Sequence, residues 1–217
     1  VISAHKGIAR WEIEVFGKSV HASLAPEGEN AIYGATKLIN LIEKYFNETL
    51  LMQSPHPLLG NRTLNVGTIS GGTQINSIPD KCSFGMERRL LPGESADEAV
   101  KPIEEIFKNT TVKYKISKLF ESQAYEIQEN SFFPKSFLNS AKKYCKSANF
   151  AGLPCSTEAA VFGKNNIPAV IFGPGDLANA HSKDEHVQIE EIILAKNIVI
   201  NFVQEYFNDE KFELNRN

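Results

Sequence analysis

Several side chains in this sequence could take part in chemistry, most of them standing where the chain breaks rather than in the middle of an element. His181 follows a loop interrupted by Gly173, Pro174 and Gly175, directly after the short apolar run 167–172. A loop leaving a strand through glycine and proline holds side chains at a sheet's edge, where ligands collect. Imidazole is the commonest metal ligand among side chains. His21 ends a strand-like segment and leads through Pro26 and Gly28 toward Asn30. It is either a hydrogen-bonding group at a site or a surface histidine with no task.

Asn76 lies between Gly71-Gly72 and Pro79-Asp80. It offers a donor and an acceptor, although an ordinary turn explains the segment equally well. Arg88 and Arg89 are adjacent on a strand-like run and therefore point to opposite faces. One of them can clamp a carboxylate with two parallel hydrogen bonds, or both can be solvated. Thr157 precedes a short helical pattern, where it could cap the helix and lend its N–H groups to an anion. Ser156 lacks the Gly-x-Ser-x-Gly setting of a hydrolase nucleophile. His5, His56 and His186 are assigned to structural or surface positions.

The elements that must position these groups fall into two sets. Residues 8–16 alternate, with Ile8, Arg10, Glu12 and Glu14 on one side and Trp11, Ile13 and Val15 on the other, which predicts a half-buried strand. Residues 30–46 repeat apolar positions at helical spacing. Strands are expected at 63–69, 81–90 and 111–117. Before the last of these, Ser95 and Glu98 form a capping box for a helix carrying Val100, Ile103 and Ile106. The order strand, helix, strand, strand, helix, strand is the ferredoxin-like split βαβ layout.

Beyond it, helices are expected at 132–145, 157–162 and 188–207, with one strand at 168–172. That is too little sheet for a self-sufficient α/β domain, so this part is expected to need strands the chain does not supply.

The chain has 217 residues, 42% of them hydrophobic, enough for a substantial core. Lys and Arg total 23 against 26 Asp and Glu, so there is no basic footprint for nucleic acid. No run has the apolar length of a membrane span. Cys82, Cys145 and Cys155 are three in number and widely spaced, which suits a reducing, cytoplasmic compartment better than a disulfide framework. A reactive Cys155 remains open.

Taken together, four ordered blocks resemble the dinuclear zinc amidohydrolases that include aminoacylases, carboxypeptidases, succinyl-diaminopimelate desuccinylases and, most similar, acetylornithine deacetylases. The blocks are His5-Lys6-Gly7; His21 through Ala31; Gly71 through Gly93; and Thr157-Glu158-Ala159 on to Gly173-Pro174-Gly175, Ala180-His181 and Asp184-Glu185. The resemblance implies an α/β fold in which a ferredoxin-like lid or dimerisation domain, 8–117, is inserted into a zinc-peptidase-like catalytic domain. Residues 1–7 and 118–217 would be the C-terminal part of that catalytic domain.

The resemblance further implies that His181 ligates one of two zinc ions, for which cobalt can substitute. His21 matches a lid histidine that reaches into an active site, often the partner subunit's, to stabilise an oxyanion. Asn76, Arg89 and Thr157 match substrate-binding positions, Arg89 holding a carboxylate. The substrate would be a small N-acyl amino acid and the partner a second copy of the chain, paired through the lid. The family's other metal ligands and its general base precede the point matched by Val1. The chain alone is therefore expected to be inactive, as a fragment or a shortened relative. A carboxypeptidase or desuccinylase, or a non-catalytic dimerisation module, are the competing readings.

Overall fold

The computed structural model describes residues 1–180 and 182–208. Packing divides the chain into two units, one of them His5–Tyr125 with Pro154–Thr157 and the other Val1–Ala4, Glu126–Leu153 and Glu158 onward.

The larger unit is the split βαβ arrangement. After β1 (Ile2–His5), most of which belongs to the smaller unit, it runs β2 (Gly7–Phe16), α1 (Ala31–Tyr45), β3 (Thr63–Gly71), β4 (Lys81–Leu90), α2 (Ala96–Lys108) and β5 (Lys113–Ser122). The antiparallel sheet has the order β3-β4-β2-β5. Its alternation is the one read from the sequence. Ala9, Trp11, Ile13 and Val15 on β2 and Cys82, Phe84, Met86 and Leu90 on β4 are buried, and the register sets Trp11 against Met86 and Ile13 against Phe84. Both helices cover this face, bringing Ala31, Ala35, Leu38 and Ile42 from α1 and Ala99, Ile103 and Phe107 from α2 into one core.

Caps define where the helices start. Asn30 Oδ1 accepts from the N–H groups of Ile32 at 2.9 Å and Tyr33 at 3.2 Å, which accounts for Asn30 structurally. Ser95 Oγ accepts from the Glu98 N–H at 3.3 Å and donates to Glu98 Oε2 at 3.1 Å. Strand β5 runs to Ser122 rather than ending at 117.

The smaller unit carries β6 (Tyr125–Glu126), α3 (Phe132–Tyr144), β7 (Ala151–Leu153), α4 (Ala159–Lys164) and α5 (Ile189–Asn208), with a three-stranded sheet in the order β6-β1-β7. Phe137, Ala141, Ile198 and Phe202 form its core. On α5, Ile192, Ile193, Leu194, Val199, Ile200 and Val203 are exposed.

The strand expected at 168–172 does not form. Ile171 alone bridges to Ile2, the two exchanging N–H···O bonds of 2.9 and 3.0 Å. Pro168 has no N–H to donate, and β1 already carries β6 and β7 as neighbours. The helix after Thr157 starts two residues later than expected. Glu158 occupies its N-cap without a side-chain capping bond.

Candidate functional site

His21 is placed by a pairing that local sequence does not announce. After β2 the chain turns at Gly17, where a Cβ would lie 2.0 Å from the Glu29 carbonyl oxygen. It then runs beside the loop that joins β3 to β4. Ile78 N donates to Val20 O at 2.8 Å, Ala22 N donates to Asn76 O at 2.9 Å, and His21 bridges to Ser77. His21 and Asn76 are thereby brought to adjacent backbones at one end of the sheet.

The histidine ring is also oriented. His21 caps the 3-10 turn Ala22–Glu27, and the Ser23 N–H donates to its Nδ1 at 3.2 Å. A backbone N–H only donates, so Nδ1 carries the lone pair and the neutral ring holds its proton on Nε2. The Ser23 hydroxyl, 2.8 Å from the same nitrogen, is a second donor to it. An exposed imidazole in this tautomer presents an N–H outward.

Asn76 is exposed, with its backbone oxygen committed to Ala22 and its amide outside the strand pairing. The loop that carries it leaves β3 through Gly72 at φ +75°, a conformation that favours glycine.

The two arginines do face opposite ways. Arg88, 4% exposed, lies on the core face opposite Ala9 and Leu64. It donates to Ala99 O at 3.0 Å and to Glu94 Oε1 at 2.8 Å. Arg89 lies on the open face opposite Ile8 and Thr63, half-buried and 3.0 Å from Glu87 Oε1. Glu87 also takes Arg10 Nε at 2.7 Å. Lys6 sits close by: its ammonium donates to the Asn61 carbonyl. Burial, and then the charge of Arg89, hold its pKa below the ordinary lysine value. The sequence placed Lys6 only in a matching block; the signal of its position is that it shares the parity of Ile8 and Arg10.

Thr157 lies toward the Arg89 end. Ile8 is flanked by Arg89 on one side and Ser122 on the other, and the Ser122 hydroxyl is 2.6 Å from that of Ser156, next to Thr157. The expected catalytic His21 and the three expected substrate-binding residues therefore fall at two ends of the sheet, His21 with Asn76 at one and Arg89, with Thr157 toward it, at the other. Arg89 stands seven residue steps along β4 from Cys82, which pairs with Gly71 at the other end. At about 3.4 Å per residue this is roughly 24 Å, longer than a small-molecule substrate spans.

In the smaller unit, Gly175 at φ +95° donates its N–H to Glu191 Oε2 at 2.9 Å. Asp176 caps the turn Leu177–Asn179 by accepting from Ala178 N at 2.9 Å. His181 lies outside the described residues. Among the described residues no three His, Cys, Asp or Glu side chains gather as a metal site. No described helix is long and apolar enough to cross a membrane.

Comparison with known proteins agrees with this architecture. Residues 3–115 match the family profile of the M20 peptidase dimerisation domain. An acetylornithine deacetylase of Buchnera aphidicola is 31% identical over 214 residues, covering 95% of this chain and 54% of the relative. The chain thus spans about half the length of the curated relatives it matches. A tripeptidase from Staphylococcus aureus superposes with a TM-score of 0.77 at 22% identity, covering 94% of this chain and 52% of that one. An M20 family metallo-carboxypeptidase from Sulfolobus solfataricus gives 0.70 at 18% identity, with 94% and 59% covered. At these identities the solved structures speak for the fold. With its split βαβ unit matched over more than half its length, the chain belongs to the family of M20 peptidase dimerisation domains.

Proposed function

We propose that this chain supplies the substrate-holding and pairing half of a hydrolase that cleaves the amide bond of small N-acyl amino acids, in the manner of an N-acetylornithine deacetylase. The observation that carries the reading is the orientation of His21. With Nδ1 accepting from Ser23, the ring is left with Nε2–H to offer, on a backbone adjacent to that of Asn76. A carbonyl becoming tetrahedral gathers negative charge on its oxygen, and a fixed N–H aimed there is worth about 3–4 kcal/mol in the transition state. Asn76 would hold the amide. Arg89 would take the substrate carboxylate in place of Glu87, and the Thr157 hydroxyl would add a further bond.

Residues 8–117 act in this reading as a lid that also joins two copies of the protein. His181 contributes one ligand of a zinc pair, or of cobalt in its place, and the longer protein contributes the rest of the coordination sphere and the base that activates water. The widely spaced thiols suit a cytoplasmic setting.

The test is acetate release from N-acetylornithine by the longer protein, with and without zinc or cobalt, set beside N-succinyl-diaminopimelate and dipeptides. Release dependent on added metal supports the reading; a preference for succinyl or peptide substrates moves the assignment to the desuccinylases or carboxypeptidases. A non-catalytic dimerisation module is the second reading, favoured by the match of residues 3–115 to a dimerisation domain. No turnover of any of these substrates would establish it.

A further inference from the structure

On the open face of the four-stranded sheet, Lys6, Arg10 and Arg89 crowd one carboxylate, Glu87. Arg10 on β2 stands directly opposite Glu87 on β4, and Arg89, two residues further along β4, shares that face. Lys6 lies close enough to feel the charge of Arg89. Both arginines pair with Glu87. Lys6, only 5% exposed, donates to the Asn61 carbonyl and meets no carboxylate within ion-pairing distance among the described residues. Three cations against one carboxylate leave the patch with a surplus of positive charge. Holding such charge away from water is costly without a counter-ion, so the patch favours an added anion.

The two arginines hold Glu87 unequally. The Arg10 Nε–H donates to Glu87 Oε2 at 2.7 Å. Its guanidinium also lies over the Phe120 ring, 5.7 Å from the centroid, which steadies it. Arg89 Nε stands 3.0 Å from Glu87 Oε1 as an ion pair, but among the described residues its side chain makes no aligned hydrogen bond. A guanidinium presents five N–H donors in a planar fork that matches a carboxylate. Glu87 thus has its hydrogen bond with Arg10 and only an attraction to Arg89, whose fork is left to offer.

We infer that Glu87 is a resident stand-in for a ligand carboxylate: an incoming carboxylate takes the Arg89 fork, Glu87 withdraws onto Arg10 alone, and Lys6 supplies the second positive charge that lets two carboxylates stand on this patch. The exchange costs little, because the bond Glu87 keeps is the one it already makes with Arg10. It also selects. A neutral group offers Arg89 less than Glu87 does, so Glu87 excludes it by competition. The class admitted is ligands with a free carboxylate, and amidated counterparts are turned away. Glu87, Arg10 and Lys6 are positioning residues in this scheme, because each acts through Arg89. The scheme rests on the proposed role of Arg89 in holding a substrate carboxylate, and it adds what sets selectivity at that point.

The test needs no turnover. The Arg89 Nε–H signal in nitrogen-15 NMR, assigned by its loss in Arg89→Lys, is followed in this chain as N-acetylglycine is added. The neutral N-acetylglycinamide serves as control, and circular dichroism verifies folding of each variant. The signal should shift saturably with the acid and stay still with the amide. Glu87→Gln should tighten binding of the acid about fivefold, the worth of one half-exposed ion pair. Arg10→Gln should weaken it by about the same factor, since Glu87 then has only Arg89 to pair with, and Lys6→Met should weaken it about threefold. In the Glu87→Gln background, Arg10→Gln should change nothing, because Arg10 acts only by holding Glu87. No saturable shift in the unaltered chain overturns the inference, as do equal shifts with the amide. So does weaker binding by Glu87→Gln, indifference to Lys6→Met, or an Arg10 effect that persists without Glu87. A failed titration leaves acetate release by the longer protein to be judged separately, and a failed acetate assay leaves the displacement of Glu87 standing.

Discussion

Arg88 donates through Nη2 to Glu94 Oε1 at 2.8 Å, tying the inner face of β4 to the loop before α2. Glu94 also accepts Arg62 Nε at 2.7 Å and the Leu91 N–H at 2.8 Å. The carboxylate therefore collects three donors while four-fifths buried. Removing its charge leaves the Arg88 guanidinium unpaired inside the core. Glu94→Gln should lower unfolding stability by about 3 kcal/mol, read as a shift in urea midpoint at unchanged slope.

The same group sets a pH dependence. Burial pushes the Glu94 carboxyl up, but the Arg62 bond, the Leu91 N–H and the charges of Arg88 and Arg62 together bring it below the ordinary glutamate value of 4.5. A carboxylate depressed in the folded state stabilises fully above its unfolded pKa, and that share is lost as pH falls through the folded value. Stability should therefore decline below pH 4.5, and Glu94→Gln should flatten the decline. Parallel acid titrations of both proteins by circular dichroism would show no difference if Glu94 were uninvolved.

His21→Ala in the longer protein should reduce kcat by about 100- to 1000-fold with little change in KM, because its hydrogen bond strengthens only as charge grows on oxygen. A rise in KM at constant kcat would place His21 in ground-state binding instead.

Mixed dimers test whether His21 of the proposed lid serves the partner subunit's site. His21→Ala and Arg89→Ala proteins, each inactive alone, should regain activity when exchanged together, since one site of each heterodimer then holds an intact pair. Random mixing makes half the dimers heterodimeric, so recovery should approach about a quarter of the unaltered rate. No recovery after confirmed subunit exchange would place both residues in one chain's site.

Asn30 provides a contrast within the same segment as His21. Its side chain is committed to the Ile32 and Tyr33 N–H groups. Asn30→Ala should cost about 1 kcal/mol of stability and leave kcat of the longer protein near its original value. A large loss of kcat would mean that the asparagine also touches substrate.

Much of the larger unit was legible in the sequence because its signals are local. The alternation through Trp11, Ile13 and Val15 reports one buried face, and Ser95 with Glu98 marks a helix start. The proximity of His21 to Asn76 was not legible from the residues themselves, since it depends on backbone bonds between distant loops. The apolar run ending at Phe172 reads as a strand by composition, yet a strand needs a partner with open hydrogen-bonding groups, and only Ile171 finds one. Strand parity alone left Arg88 and Arg89 with equal claims, and only the resemblance singled out Arg89; the register seats Arg88 against Ala9 on the core face. The placement of Thr157 depended on a hydroxyl contact between Ser122 and Ser156, which no spacing rule encodes.

The lysines of β5 also set a limit on growth. A sheet receptive on both sides would recruit copy after copy into a fibre, whereas one with a single receptive border is used up at the first addition. The charges at 113, 115 and 118 thus act as a terminator along the β5 border of the sheet.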